Sequence, residues 1–109
     1  MDPRIADMIE FIDNNLNQHT SLKKASQMVN LSYHYFAVMF REETGKTFLE
    51  YVREKRIAKA QSLLRNPRRE IKDVSYSIGY RDIQSFYRDF KKITGRTPGQ
   101  FKNSQNRSF

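Results

Sequence analysis

The sequence predicts an all-α fold of about seven helices, with two similar helical subdomains joined by one long central helix. Three observations lead there. Apolar residues recur at three- and four-residue spacing through most of the chain. No stretch sustains the alternation of a strand, and the residue pattern on one side of residues 47–64 is repeated on the other. The boundaries that follow are 1–46 for the first subdomain, 47–66 for the linking helix and 67–109 for the second subdomain with a short, frayed polar tail.

Over residues 4–16, Ile5, Met8, Ile9, Ile12 and Leu16 form one apolar stripe. The polar side is mostly acidic, so this helix suits packing on the domain. Asn14-Asn15 and Gln18-His19-Thr20 mark its exit. Ser21 can cap a helix over 22–29 that turns Leu22, Ala25 and Val29 one way. After the turn at Asn30-Leu31, Ser32 can cap a third helix to about Thr44, and Gly45 stands where a left-handed C-terminal cap is wanted.

The central helix opens on Thr47 and Glu50, the spacing of a capping box. Phe48, Val52, Ile57, Ala60 and Leu64 are its apolar positions, while Arg53, Glu54, Lys59 and Gln61 can face water. Asn66-Pro67 stops it, because proline disfavours helix at the residue before it. Its length is about 27 Å at about 1.5 Å per residue. A short helix over 71–78 then carries Ile71, Val74 and Ile78, Gly79-Tyr80 makes the turn, and Asp82 caps a helix to Thr94 with Phe86, Phe90 and Ile93 inward. Thr97-Pro98 starts a last helix through Phe101 and Lys102.

The repeat is specific. Leu22, Ala25, Val29 and Leu31 match Ile71, Val74, Ile78 and Tyr80 at a shift of 49. After one inserted residue, Phe36, Phe40, Thr44-Gly45 and Lys46-Thr47 match Phe86, Phe90, Thr94-Gly95 and Arg96-Thr97 at a shift of 50. Each unit is a short helix, a turn and a second helix whose apolar positions pack the two across one another. That is the arrangement of a helix-turn-helix, whose second helix can enter a DNA major groove.

Composition agrees. Twenty Lys and Arg against twelve Asp and Glu give a net charge of +8 over 109 residues, which favours a polyanionic partner. The chain has no cysteine, excluding disulfides, thiolate metal sites and cysteine nucleophiles. There is no glycine-rich phosphate loop and no cluster of histidines with carboxylates; His19 and His34 stand alone. The expectation is therefore no enzyme, no metal and no cofactor. No apolar run approaches the roughly 20 residues of a membrane span, and the N-terminus does not open a secretory signal, so a soluble intracellular protein is expected.

The residues Ile78-Gly79-Tyr80-Arg81-Asp82, Ser85-Phe86-Tyr87-Arg88-Asp89-Phe90-Lys91-Lys92 and Thr94-Gly95-Arg96-Thr97-Pro98, followed by Phe101, resemble the signature of the AraC/XylS family of bacterial transcription regulators. Phe36 to Phe40 with Arg41-Glu42-Glu43-Thr44-Gly45, and Arg56-Ile57 with Ala60 and Leu63-Leu64, resemble the same family, so that nearly all of residues 5–102 is covered. The resemblance implies a two-lobed DNA-binding domain of bacterial cytoplasm and nucleoid. Ser26 and Ser75 depart from the family's usual alanine, Asn30 from its turn glycine, and Phe101-Lys102 from its frequent tyrosine-arginine pair.

In the second unit Ile83, Gln84, Tyr87, Arg88 and Lys91 share a face away from the inward stripe. Arg88 can pair with guanine, Gln84 with adenine, and Ile83 can rest on a thymine methyl, with Tyr87 reaching base or backbone. The equivalent face of the first unit is Tyr33, His34, Ala37, Val38 and Arg41. The resemblance implies that His34, Ala37 and Val38 face bases there, and lacking hydrogen-bonding groups, Ala37 and Val38 should read shape and thymine methyls; the alternative for Val38 is contact with a partner protein. Backbone contacts are expected from Ser21, Tyr33, Arg41, Lys46, Thr47, Lys91, Arg96 and Thr97, several of them at helix starts where N–H groups can meet phosphate. Arg53, Arg68 and Arg69 are looser candidates.

The function expected is a sequence-specific transcription regulator, or its DNA-binding part, acting as a monomer with two helices in successive major-groove segments of double-stranded DNA. The units differ, so the target should be asymmetric. Grooves on one duplex face recur about 34 Å apart, which with the shorter central helix calls for close lobe packing or DNA bending. The alternative is a basic interaction module that binds DNA nonspecifically or recruits RNA polymerase.

Overall fold

The computed structural model describes residues 1–106, apart from the side chain of Asn106. Its described residues form seven helices and no strand: α1 (Pro3–Asn14), α2 (Leu22–Met28), α3 (Tyr33–Thr44), α4 (Phe48–Leu64), α5 (Ile71–Ser77), α6 (Ile83–Thr94) and α7 (Pro98–Asn106). The chain divides into two compact units between Arg53 and Glu54, within α4.

In the first unit, the apolar stripe of α1 buries Ile5, Met8 and Ile12 with Ala25 of α2, Phe36 and Phe40 of α3, and Phe48 of α4. Fully burying such side chains contributes about 1.5–3 kcal/mol each. Phe40 meets Phe48 and Tyr51 edge-on, with ring centroids 5.5 and 5.4 Å apart, the arrangement that aromatic quadrupoles favour. The helix ends follow the capping residues. Asp2, Ser21 and Ser32 accept hydrogen bonds from the N–H groups of Arg4, Lys24 and Tyr35. Gly45 adopts the left-handed region at φ 77° and donates to the Arg41 carbonyl. Asn30 also lies there, at φ 58°, a conformation asparagine tolerates better than most residues. Helix α1 ends at Asn14, short of Leu16, because the Asn15 amide folds back 2.8 Å onto the Phe11 carbonyl; Leu16 still packs on the core from beyond the helix.

In the second unit, Ile57, Ala60 and Leu64 of α4 bury with Val74, Ile78, Tyr80, Phe86, Phe90 and Phe101. Phe86, Phe90 and Phe101 form a chain of edge-on ring contacts. The turn between α5 and α6 repeats that between α2 and α3. The Tyr80 N–H donates to the Ser75 carbonyl at 3.1 Å, as Leu31 does to Ser26 at 3.0 Å, and Gly79 takes the positive φ that Asn30 takes in the first unit.

Two expectations change here. Ile93 is 39% exposed, not inward. Its direction matches Phe86, but it stands in the last turn of α6, past the side chains that cover earlier turns; the inward position beside Phe90 belongs to Asp89, buried at 6% exposure. Helix α7 also runs beyond Lys102 to Asn106. Thr97 and Gln100 cap its start reciprocally at 2.9 and 3.1 Å, and Ser104 accepts from Arg96 while donating to the Phe101 carbonyl. The remainder of the expected tail, 107–109, lies outside the described residues.

Candidate nucleic-acid interface

Helix α6 is held by Phe86, Asp89 and Phe90, and this fixes which residues it turns outward. Gln84, Tyr87, Arg88 and Lys91 are exposed and Ile83 is half-buried, so the five expected positions share one accessible side. The Arg88 side chain is 70% exposed, with its Nε 3.9 Å from Asp89 Oδ1. The Tyr87 ring stands edge-on to Phe86 at 6.3 Å, and the residue stays 38% exposed. At the start of α6, Asp82 accepts the Ser85 N–H at 2.8 Å and the Ser85 hydroxyl at 2.9 Å. Those bonds hold the Asp82 carboxyl below the ordinary carboxylate range.

Beneath this face lies a polar arrangement that the sequence pattern did not reveal. The Tyr80 hydroxyl donates to Asp89 Oδ2 at 2.8 Å, and the Arg56 guanidinium stands 5.7 Å from the Tyr80 ring centroid. Burial pushes the Arg56 guanidinium below its ordinary pKa, against the opposing pull of Tyr80 and Asp89. The available signal was an aspartate between Phe86 and Phe90 in an otherwise apolar stripe. The matching residue of the first unit, by the shift of 50, is Met39.

Helix α3 presents Tyr33, His34, Val38 and Arg41 exposed and Ala37 half-buried, opposite Phe36 and Phe40. His34, Ala37, Val38 and Arg41 line an open groove of about 380 Å³ with Leu22, Thr47 and Leu49. Tyr33 is exposed at the first position of the helix and does not line that groove. Leu22 and Leu49 were not among the expected site residues, having been read only for packing or not at all.

The backbone-contact candidates fall at turns built twice from the same residues. Thr44 Oγ1 donates to the Phe40 carbonyl at 2.7 Å and accepts the Lys46 N–H at 3.2 Å; Thr94 does the same with Phe90 and Arg96 at 2.8 and 3.2 Å. Each turn thereby delivers an exposed cation, Lys46 or Arg96, just before a helix start. The Thr47 hydroxyl accepts the Glu50 N–H and donates to the Glu50 carboxylate, and the Thr97 hydroxyl accepts the Gln100 N–H, so both serve as caps. Ser21 is exposed and caps the short α2. Among the described residues no helix is long and apolar enough to cross a membrane.

The helix-turn-helix domain family matches residues 25–104. The arabinose operon regulatory protein of Salmonella typhimurium is 33% identical over 103 residues, covering 94% of this chain and 37% of that protein. The regulatory protein SoxS of the same organism is 32% identical over 99 residues, covering 91% of this chain and 92% of its own. The chain thus spans about a third of one relative and nearly all of the other. The C-terminal domain of AraT, a response regulator from Geobacillus stearothermophilus, superposes with a TM-score of 0.90 at 25% identity, over 94% of this chain and 86% of that one. With its two helix-turn-helix units and these matches, the chain belongs to the AraC/XylS family of transcription regulators, as a DNA-binding helix-turn-helix domain.

Proposed function

We propose that this domain reads an asymmetric site on double-stranded DNA, placing α3 and α6 in successive major-groove segments, with α6 supplying most of the hydrogen-bonded base reading. The observation that carries this is the outward side of α6, where Gln84, Tyr87, Arg88 and Lys91 project from a helix fixed by Phe86 and Phe90. Arg88 suits the paired acceptors of guanine and Gln84 the acceptor and donor of adenine, while Ile83 suits a thymine methyl. Helix α3 offers His34, Ala37 and Val38 to bases. Tyr33, Arg41, Lys46, Lys91 and Arg96 meet the phosphates, together with the helix starts at Ser21, Thr47 and Thr97. In this reading the chain works as a monomer at the bacterial nucleoid.

In vitro selection from random duplexes, followed by footprinting with competitor DNA, tests it. One protected, non-palindromic site spanning about two major-groove segments is expected. Uniform, salt-sensitive affinity without a protected site would reject specific reading in favour of a nonspecific or RNA polymerase-recruiting basic surface.

A further inference from the structure

The groove on the first unit has walls, Val38 and Leu49 among them, that the repeat does not require. By the same shift, His34, Ala37, Val38, Arg41 and Leu49 correspond to Gln84, Tyr87, Arg88, Lys91 and Gly99. Where α6 projects an aromatic and a guanidinium, α3 leaves an apolar hollow. Leu49 is 55% exposed and Val38 is 42% exposed, so neither is spent on the core. At Gly99 a Cβ would come no nearer to its surroundings than 4.0 Å, from Thr97 Oγ1, so the second unit has room for a side chain that it does not use. Core packing alone therefore does not call for a leucine at position 49.

We infer that this groove is a receptor for the C5-methyl groups of pyrimidines in duplex DNA, and that Leu49 and Leu22 join Val38 and Ala37 as its specificity-determining residues. The inference rests on the DNA-reading assignment above. Its walls match a methyl-bearing base edge, since methyl burial is non-directional and proportional to the apolar area withdrawn from water. Its rim matches the adjoining phosphates. Arg41 and His34 line the groove, Lys46 directly precedes it, and no Asp or Glu lines it. The nearby Glu50 carboxylate is engaged by the Thr47 hydroxyl at 3.0 Å. A cationic rim around an apolar floor favours a nucleic acid over an apolar peptide. An open hollow of about 380 Å³ admits the edges of neighbouring bases rather than one enclosed methyl. The same chemistry makes the receptor indifferent to which pyrimidine carries the methyl, so 5-methylcytosine should be accepted better than cytosine.

The test uses the full chain and its selected duplex, with each thymine replaced in turn by deoxyuridine, which removes only the methyl. At one or two positions affinity should fall roughly fourfold, the effect of one methyl group withdrawn from water. A 5-methylcytosine pair at those positions should bind more tightly than a cytosine pair. Val38→Ala and Leu49→Ala should abolish the difference between thymine and deoxyuridine, while the base discrimination that depends on Arg88 persists. A protected site indifferent to deoxyuridine throughout would overturn the methyl receptor and leave DNA reading standing. Failure to select any site would overturn both. Methyl sensitivity unchanged in both variants would also overturn it.

Discussion

The Tyr80 hydroxyl donates a 2.8 Å hydrogen bond to Asp89 Oδ2, and both residues are buried, at 7% and 6% exposure. The first unit places Leu31 and Met39 at the matching positions, so one architecture is closed by an apolar pair in one unit and a polar pair in the other. Breaking the polar pair leaves a buried group without its partner, which costs about 1–3 kcal/mol. Tyr80→Phe and Asp89→Leu should each lower unfolding free energy in urea by about that amount. The double replacement Tyr80→Phe with Asp89→Leu should lose less than the sum of the two, although Arg56 then lacks its carboxylate neighbour. Additive losses would show that the two side chains do not act as a pair.

Two serines at matching positions make opposite predictions. Ser26 Oγ donates to the Lys23 carbonyl at 2.7 Å, whereas the Ser75 hydroxyl is buried without a hydrogen-bond partner. An unsatisfied buried hydroxyl carries a desolvation penalty, while removing a helical hydrogen bond costs about 0.5–1.5 kcal/mol. Ser75→Ala should therefore raise the melting temperature and Ser26→Ala should leave it unchanged or lower it. The reverse order in a calorimetric comparison would contradict the arrangement.

Arg88 and Lys46 should separate base reading from phosphate contact. Arg88→Ala is expected to cost about 1–3 kcal/mol on the selected site and to relax one base position. An unchanged selection profile would remove Arg88 from base reading. Lys46→Ala should weaken all sequences alike and reduce the dependence of log affinity on log salt by about one unit. A loss confined to one sequence would refute the phosphate role.

The caps of α1 and α6 predict the acid behaviour. The side chain of Arg4, and then its backbone N–H, lower the Asp2 carboxyl from 3.8 to about 2; Asp82 is lowered by the backbone N–H and hydroxyl of Ser85. A carboxyl depressed on folding contributes stability above its unfolded pKa and loses it as pH falls through the folded value. The Asp2 contribution is therefore complete above about pH 4 and disappears as pH falls through about 2. Carboxyl-detected titration should place the Asp2 midpoint near 2 and the Asp82 midpoint below an ordinary aspartate. Ordinary midpoints for both would show that the caps do not hold their carboxylates.

Much of the architecture was legible because it is written in local chemistry. Ser21, Ser32, Thr47 and Asp82 cap where their positions suggested, and Gly45 and Gly95 are left-handed after their helices. Capping and three- to four-residue periodicity depend on neighbours within one or two turns, which a sequence displays directly. The outward side of α6 followed from the same periodicity, though its role on DNA stands on family membership and on the tests above. Ile93 misled because direction around a helix was legible, whereas how far the core extends along it was not.

By itself the sequence determined seven helices, a duplicated helix-turn-helix and the basic character of the chain, since spacing, caps and charge are local or additive quantities. Only the tertiary structure decided that Asp89 turns inward to Tyr80 and that Leu22 and Leu49 meet Val38 in one groove. The first requires an acceptor and a donor nine residues apart to meet inside a core, and the second requires three helices to converge. Burial of a polar atom and the shape of a groove are properties of the packing of several elements together, so neither is carried by any one segment of the chain.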